Sequence, residues 1–392
     1  MRAVHKVFYA FMRVLIAPYF AIFGHYRWKR YRPKSKNYLV LTNHNTNYDF
    51  FLAGLCLPHQ MYFVAMESIF RLGFVSRIIK FLGDPIPRRK GASGKDAADA
   101  IVARLSRGDN VCMMVEGNRS FSGETGWISD SNASLLRRSG AGLITYRLHG
   151  GYFRNPRWSK KQRRGPMWGE IVREYTPSEI AEMTDAELTA VIRRDLYVNA
   201  YDDQKPVPRR YRSKAPAEHL ETALFLCPSC HRFSTLHSEK DRLSCLACGL
   251  SLTLDEYGYF HGADGKDAPF STILDWSRWQ QSDLKALPAA CEGQPDALFF
   301  DENIRLYSIL PGKGTQPLGI GRLSLYADRL EFTCTETTYS FPVTDIRHMA
   351  VSLTCNLLFT AGAQYCEAKS DTPYSALKYL ILWRYLAGKD YV

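Results

Sequence analysis

Four cysteines set in two pairs, Cys227-Pro-Ser-Cys230 and Cys245-Leu-Ala-Cys248 with fourteen residues between them, constrain this chain more than any other feature. Each C-x-x-C turn offers two thiolates, and two such turns at this separation supply the four sulfur ligands of a tetrahedral ion. The spacing predicts a zinc ribbon over 224–262, with structural Zn2+ on Cys227, Cys230, Cys245 and Cys248 and with "ALFL" and "LSLTL" as its strands. "CPSCH" also fits a haem-attachment pattern, but that chemistry needs an exported protein and leaves the second pair without a purpose. His231 and His237 stand close by as substitute ligands, which four well-spaced thiolates make unnecessary. The other six cysteines, Cys56, Cys112, Cys291, Cys334, Cys355 and Cys366, are scattered singly among apolar residues, as small core residues are. Taken together, this usage reads as a reducing, cytosolic compartment.

The chain has 392 residues, more than one ordinary core needs, so two or three domains are expected. Over 37–201, "YLVL" (38–41), "MYFVAM" (61–66), "VCMMV" (111–115) and "GLITY" (142–146) predict strands. Between them, "YDFFLAGLCL", "SRIIKFLG" and "KDAADAIVARLSRG" carry helical spacing, the last stopping at Gly108, and Thr184 with Glu187 marks a capping box. Strands alternating with helices predict an α/β layered domain. A linker rich in proline and charge follows over 202–223, then the ribbon, then a connecting helical segment over 263–296. From 297 to 392 the pattern turns β-rich, with a hairpin around Ala327-Asp328 and a closing helix in "TPYSALKYLILWRYLAG" opened by its Thr-Pro. Strands closed by one helix match a pleckstrin-homology-like (PH-like) barrel in order and length, and Tyr326, Phe332 and Trp383 are expected in its core.

Lys plus Arg outnumber Asp plus Glu by 51 to 39, a net charge of +12 that favours anionic partners. The apolar run Val7–Phe23 is broken by Arg13 and followed by a basic aromatic stretch. That pattern argues against a signal peptide and for an interfacial helix in a membrane-associating segment over 1–36. The expected location is peripheral or monotopic, on the cytoplasmic face of the cell membrane. Further basic clusters, "RRK" and "FRNPRWSKKQRRG" with Tyr152 and Trp158 interleaved, suit an anionic lipid surface. The ribbon itself is nearly charge-balanced and has no basic stripe, which weighs against nucleic acid.

Asn43 and His44 follow directly on a predicted strand, and Asp49 opens the next helix. A carboxylate across such a turn can hold one imidazole nitrogen and leave the other as a base, although a loop histidine beside a helix cap gives the same letters. Two more blocks stand at strand ends of the same unit. "FLGDPIPRRKG" carries Arg88 and Arg89, and "MMVEGNRSFSG" carries Glu116, Gly117, Asn118, Arg119 and Ser120. Guanidinium groups there suit bidentate phosphate binding, and Gly117 lets backbone approach a ligand.

The ordered set Asn43-His44-x4-Asp49, "GDPIPRR" and Glu116-Gly117-x-Arg119-Ser120 resembles the lysophospholipid acyltransferase family, whose best-known members are 1-acylglycerol-3-phosphate acyltransferases. Val115 and Asn118 replace that family's usual proline and threonine, and "GLITYRLHGGY" lacks the proline of its fourth block. The resemblance covers roughly 36–200 and implies a glycerolipid-acyltransferase-like α/β fold. It implies a base, His44, oriented by Asp49, that activates a lysophospholipid hydroxyl against an acyl thioester on coenzyme A or acyl carrier protein. Arg89, with Arg88 as second choice, and Arg119 would hold the acceptor phosphate, with Asn43, Glu116, Gly117, Asn118 and Ser120 completing the acceptor site. The competing reading is a zinc-ribbon module for nucleic acid or protein carried on a catalytically degenerate acyltransferase scaffold.

Overall fold

The computed structural model describes residues 2–71, 73–263, 265–287, 295–310 and 314–389; Cys291 and part of the connecting segment lie outside the described residues. The chain divides into two compact units. The first holds Met1–Arg89, Ser93–Pro156 and Arg163–Tyr211, and the second Lys90–Ala92, Arg157–Gln162 and Arg212–Val392.

The first unit begins with helix α1 (Arg2–Ile22) and strand β1 (Tyr26–Trp28), then β2 (Tyr38–Thr42), α2 (Asp49–Cys56), β3 (Met61–Met66), α3 (Phe74–Gly83) and β4 (Ile86–Arg88). It continues with α4 (Lys95–Ser106), β5 (Asn110–Met114), α5 (Ser131–Ser139), β6 (Gly142–His149), α6 (Gly151–Arg154) and β7 (Met167–Tyr175). Helices α7 (Pro177–Glu182), α8 (Asp185–Leu196) and α9 (Ala200–Gln204) close it. The sheet order is β1-β7-β6-β2-β5-β3-β4. Strands β6, β2, β5, β3 and β4 run parallel, while β7 is antiparallel to β6.

Side-chain alternation along β2 shows why this is a three-layer sandwich. Leu39 and Leu41 face one way, onto Ile101 of α4, Leu136 of α5 and Leu188 and Ile192 of α8. Tyr38 and Val40 face the other, onto Leu52 and Leu55 of α2 and Phe20 of α1. With helices on both faces, a central strand must be apolar at every position, and "YLVL" is. Three strands lack that signature. Strand β7 is half-exposed and rich in charge, and β1 and β4 have three residues each. Pro87 can sit in β4 because β4 is an edge strand, where a missing N–H costs no ladder bond. Thr184 caps α8 in the expected box with Glu187, and Thr176 does the same for α7 with Glu179.

Helix α1 packs one stripe inward and leaves Val7, Phe11, Val14, Leu15 and Ile22 exposed on another. His5 ties it to the neighbouring elements, accepting or donating at Tyr62 Oη (3.1 Å) and meeting the Phe81 carbonyl of α3 at 3.0 Å. Phe74, Val75, Ile78 and Phe81 of α3 are exposed too, and none of its described side chains is buried. No helix among the described residues is long and apolar enough to cross a membrane.

The second unit contains a four-stranded sheet of β8 (Leu236–Glu239), β9 (Arg242–Cys245), β10 (Ser251–Leu254) and β11 (Phe260–Gly262), followed by α10 (Ile273–Lys285). "ALFL" is not one of its strands. That apolar run spends its backbone on α10 side chains: Gln280 bonds Ala223 O and Phe225 N, and Trp276 Nε1 donates to Leu226 O. A seven-stranded antiparallel sheet comes next: β12 (Phe299–Leu310), β13 (Gly314–Leu325), β14 (Arg329–Cys334), β15 (Thr338–Pro342), β16 (Ile346–Ser352), β17 (Asn356–Ala361) and β18 (Gln364–Lys369). Its order is β15-β14-β13-β12-β18-β17-β16, with the expected hairpin joining β13 to β14. The final helix α11 (Ala376–Leu386) starts after Ser375, so Thr372-Pro373 lies outside it. Phe332 and Trp383 are buried; Tyr326 is half-buried, with the Arg329 guanidinium over its ring at 3.8 Å.

Two further sequence expectations change. Residues 202–223 are not a bare linker: α9 takes the first three, and Tyr211 is buried with its hydroxyl donating to Pro166 O at 3.0 Å. The basic cluster in "FRNPRWSKKQRRG" is only partly at the surface: Tyr152, Arg154, Arg157, Trp158 and Arg163 are buried, while Lys160, Lys161 and Arg164 are exposed. Irregular backbone buries carbonyls, and a guanidinium with several N–H groups can satisfy more than one. Arg154 donates to Gly165 O and Phe23 O, and Arg157 donates to Val351 O and Leu353 O.

Candidate active site

Because β2, β5, β3 and β4 are parallel, their C-terminal ends open on one edge of the sheet, where α/β folds place their ligands. The turn from β2 into α2 carries His44 and Asp49, the turn after β5 carries Glu116–Ser120, and β4 ends at Arg88 and Arg89. Strand β4 lies three positions from β2, on the order of 14 Å at about 4.8 Å per strand.

Asp49 is fully buried at the first turn of α2, which favours negative charge. Its Oδ2 accepts from Asn45 N (2.7 Å), Thr46 N (2.9 Å) and His44 Nδ1 (2.8 Å), and its Oδ1 accepts from Thr46 N and the Thr46 hydroxyl. A buried carboxylate held by that many donors cannot rotate, so the imidazole it grips is fixed in plane and in tautomer. The His44 side chain keeps 20% of its surface against 1% for Asp49.

The third block is tied to the first through the backbone. Glu116 Oε1 accepts from His44 N at 2.6 Å, and Ser120 N donates to His44 O at 3.1 Å. The second Glu116 oxygen accepts from Gly126 N at 2.7 Å. Glu116 thus buckles the histidine turn to residue 126. Desolvation pushes its carboxyl up to about 8, against the two N–H groups that favour the anion. Ser120 is buried, its hydroxyl shared between Glu124 O and Gly123 N, and Asn43 is buried with its amide engaged at both ends by the Leu148 backbone. These two residues shape the turns. Gly117, at φ +69°, turns the chain with open space where a Cβ would stand, and Asn118 is half-buried beside it.

The arginines differ from one another. Arg119, half-buried on the turn whose Ser120 N–H bonds His44 O, has its guanidinium lowered by desolvation, which the Asp49 charge opposes. Its Nη1 meets Asn155 O at 3.5 Å. Arg88 folds back over its own loop onto Arg89 O and Ser93 O, whereas Arg89 is exposed. A partly desolvated guanidinium on a turn bonded to the histidine turn can take an anionic group.

Comparison with known proteins bears on this arrangement directly. Residues 25–148 match the Acyltransferase family model. The chain carries an acyltransferase domain. The match runs from β1 to the end of β6 and takes in every candidate residue from Asn43 to Ser120. Among solved structures, the 1-acyl-sn-glycerophosphate (LPA) acyltransferase PlsC from Thermotoga maritima is similar at 17% identity and a TM-score of 0.37, over 46% of this chain and 70% of that one. No curated protein matches the chain.

Just beyond the matched segment, the first unit holds a second histidine–carboxylate pair that the sequence reading missed. His149 Nδ1 lies 2.8 Å from Asp203 Oδ2, its ring stacks on Trp168 at 5.0 Å, and Glu170 stands 3.5 Å from Nε2. Fifty-four residues separate the partners, so no local motif marks them.

Outside the acyltransferase domain, the four ribbon cysteines converge, every Sγ within 4.8 Å of the others, with Cys227–Cys248 at 3.6 Å and Cys230–Cys245 at 3.7 Å. Metal–sulfur bonds of about 2.3 Å make a tetrahedron with edges of about 3.8 Å, so the four thiolates suit a metal ion. The two knuckles match in backbone: the residue after each second cysteine is left-handed, His231 at φ +55° and Gly249 at φ +78°. His231 turns to Asp283 and Trp279 instead of the cluster, and His237 is not in it either.

Proposed function

We propose that the acyltransferase domain transfers a fatty acyl group from an acyl thioester, acyl-CoA or acyl-ACP, to the free hydroxyl of a lysophospholipid. The first candidate acceptor is 1-acyl-sn-glycerol-3-phosphate, which gives phosphatidic acid and a role in phospholipid biosynthesis. The observation that carries the reading is the buried Asp49 carboxylate, fixed by three backbone and side-chain donors of residues 45 and 46 and gripping His44 Nδ1. With Nδ1 so engaged, Nε2 is the nitrogen that takes the acceptor's proton. The acceptor oxygen attacks the thioester carbon, the tetrahedral oxyanion collapses, and the C–S bond breaks to release thiolate. The imidazolium, stabilised by Asp49, returns its proton to that thiolate, so the cycle closes without a covalent enzyme intermediate.

Arg119 and, from the far strand, Arg89 hold the acceptor phosphate; Arg119 precedes Ser120, whose N–H bonds His44 O. Glu116, Asn43 and Ser120 serve the reaction by holding the turn that carries His44. The exposed apolar faces of α1 and α3, with Lys6, Arg77 and Lys80 among them, suit a monotopic seat on an anionic cytoplasmic leaflet, where a lysolipid would be met. The cysteine cluster holds structural Zn2+ as a folding element, and the seven strands with their closing helix act as a PH-like docking or stabilising domain. Incubating the full chain with labelled acyl-CoA or acyl-ACP and a panel of lysolipids tests the whole reading. Labelled phosphatidic acid is the expected product, and no labelled diacyl product from any lysolipid would overturn it.

A further inference from the structure

The loop from β5 to α5, residues 115–130, carries Glu116, Arg119 and Ser120 in its first turn and has no helix of its own. Loops longer than about 12–15 residues without such elements are uncommon, and they are usually functional or disordered. This loop is tied down along its length, and every tie lies inside the first unit. Its first turn holds the backbone of His44, through Glu116 Oε1 on His44 N and Ser120 N on His44 O. Its middle closes on Ser120, whose hydroxyl donates to Glu124 O at 2.7 Å and accepts from Gly123 N at 2.8 Å. Its far limb, 123–125, is buttoned to the turn between α8 and α9, where Glu124 forms an antiparallel bridge with Asn199. Ala200 N donates to Gly123 O and Thr125 N to Val198 O, both at 2.9 Å. The Thr125 hydroxyl completes the clasp, accepting from Val198 N at 2.8 Å and donating to Leu196 O at 3.1 Å. Gly123 is buried at φ +96°, and a Cβ there would stand 2.8 Å from Tyr152 Cδ1 and 3.2 Å from Ala200 Cβ. Only glycine lets the limb lie this close in that conformation.

The clasp reaches the histidine turn through one carboxylate. Gly126 N, next to Thr125, donates to Glu116 Oε2 at 2.7 Å, and the other oxygen of Glu116 holds His44 N. Asp49 already fixes the His44 ring from within its own turn, so the base does not need the clasp. Arg119 does. It stands on the short arc between Glu116 and Ser120, so its direction depends on where the loop holds those two residues. Ordering a loop costs conformational entropy, and a guanidinium ordered in advance leaves less to order when an anion binds.

We propose that Thr125, with Val198 as its partner, is a positioning residue for the acyl acceptor: by fixing the far limb of the loop it sets the turn that presents Arg119. The inference rests on Arg119 as a phosphate ligand, and it gives the α8–α9 turn, which lies beyond the matched segment, a task in acceptor binding. The discriminating variant is Thr125→Val, which removes the hydroxyl and keeps its volume. In the full chain, with lysophosphatidic acid and palmitoyl-CoA, the acceptor KM rises about tenfold for two lost hydrogen bonds. The KM for palmitoyl-CoA and kcat stay as in the wild type. Thr125→Ser keeps both bonds and restores the wild-type acceptor KM. On an Arg119→Ala background Thr125→Val changes the acceptor KM no further, because the residue it positions is gone. Tyr197→Phe tests the same limb without touching the core: Tyr197 is exposed, its hydroxyl donates to Glu124 Oε1 at 2.9 Å, and its loss raises the acceptor KM by about twofold. An unchanged acceptor KM in Thr125→Val, equal losses on both substrates, or full additivity with Arg119→Ala would each overturn the proposal. Should Thr125→Val fail to fold, an unchanged acceptor KM in Tyr197→Phe overturns it instead. Should the wild type acylate no lysolipid, the reading of the site falls, and amide hydrogen exchange over 117–120 reports on the clasp. Faster exchange there in Thr125→Val upholds its hold on the arginine turn, and equal exchange overturns that too.

Discussion

The first unit contains two histidine–carboxylate pairs of the same length at the ends of adjacent parallel strands. His44–Asp49 follows β2 and His149–Asp203 ends β6, each with Nδ1 2.8 Å from a carboxylate oxygen. They differ in what surrounds them. Asp49 is buried among donors that lie within the same turn, while Asp203 keeps 23% of its surface. The His149 ring lies flat on Trp168 with a second carboxylate, Glu170, toward Nε2, whereas the His44 turn is bonded through its backbone to the turn that carries Glu116, Arg119 and Ser120. A 2.8 Å pair is therefore no mark of a base by itself. An imidazole flanked by two carboxylates and stacked on an indole is held in place, and one gripped by a rigid carboxylate, on a turn bonded to an arginine-bearing turn, can act on an anionic substrate.

The largest effect that can break this comparison is loss of the imidazole. His44→Ala should lower kcat by about 10²- to 10⁴-fold, the usual worth of a general base, with Tm unchanged. His149→Phe should keep the stack on Trp168, lose about 1 kcal/mol of stability with its hydrogen bond, and leave kcat alone. Steady-state transfer assays and thermal melts on both variants decide the matter; equal losses of kcat would make the two pairs one catalytic system. The carboxylates give a smaller contrast. Asp49→Asn keeps the shape but offers Nδ1–H a poorer partner, so kcat should fall on the order of 10²-fold with acceptor KM steady, while Asp203→Asn should be silent in both. A silent Asp49→Asn would remove the orienting role.

How much of this was visible in the sequence follows from chain distance. His44 and Asp49 lie five residues apart across one strand-to-helix turn, and the ribbon cysteines repeat one local motif, so both could be read directly. The buckle from Glu116 to His44 N crosses 72 residues, and the clamp from Asn43 to Leu148 crosses 105; nothing local marks either. The charge of "FRNPRWSKKQRRG" suggested a lipid-facing surface throughout, yet Arg154, Arg157 and Arg163 are buried, because sequence shows the guanidinium and not the buried carbonyl that needs it. Likewise "ALFL" has the apolarity of a strand, yet Gln280 and Trp276 take its backbone groups from a helix fifty-odd residues away. The α/β layering was legible for a simpler reason: strands buried on both faces cannot hide their composition.

Glu116 gives the smallest and most specific contrast, since no carboxylate buckles the turn of His149 in this way among the described contacts. Desolvation raises its carboxyl from an ordinary value near 4.5 to about 8, so the folded chain holds a proton there that the unfolded chain has given up. The sign follows from linkage. The stability that this proton represents is full below about 4.5 and is lost as pH rises through about 8, when the carboxylate must ionise in its dry corner. Glu116→Gln cannot ionise. Its Tm should start lower at acid pH, because one of the two N–H groups now faces an amide nitrogen, and should then fall less steeply toward alkaline pH. The expected sign is a steeper loss of Tm toward alkaline pH for the wild type than for Glu116→Gln. Thermal melts of both proteins across the range read it directly. Parallel curves would show that Glu116 is ionised throughout, and the two backbone N–H groups would then outweigh the desolvation that opposes them.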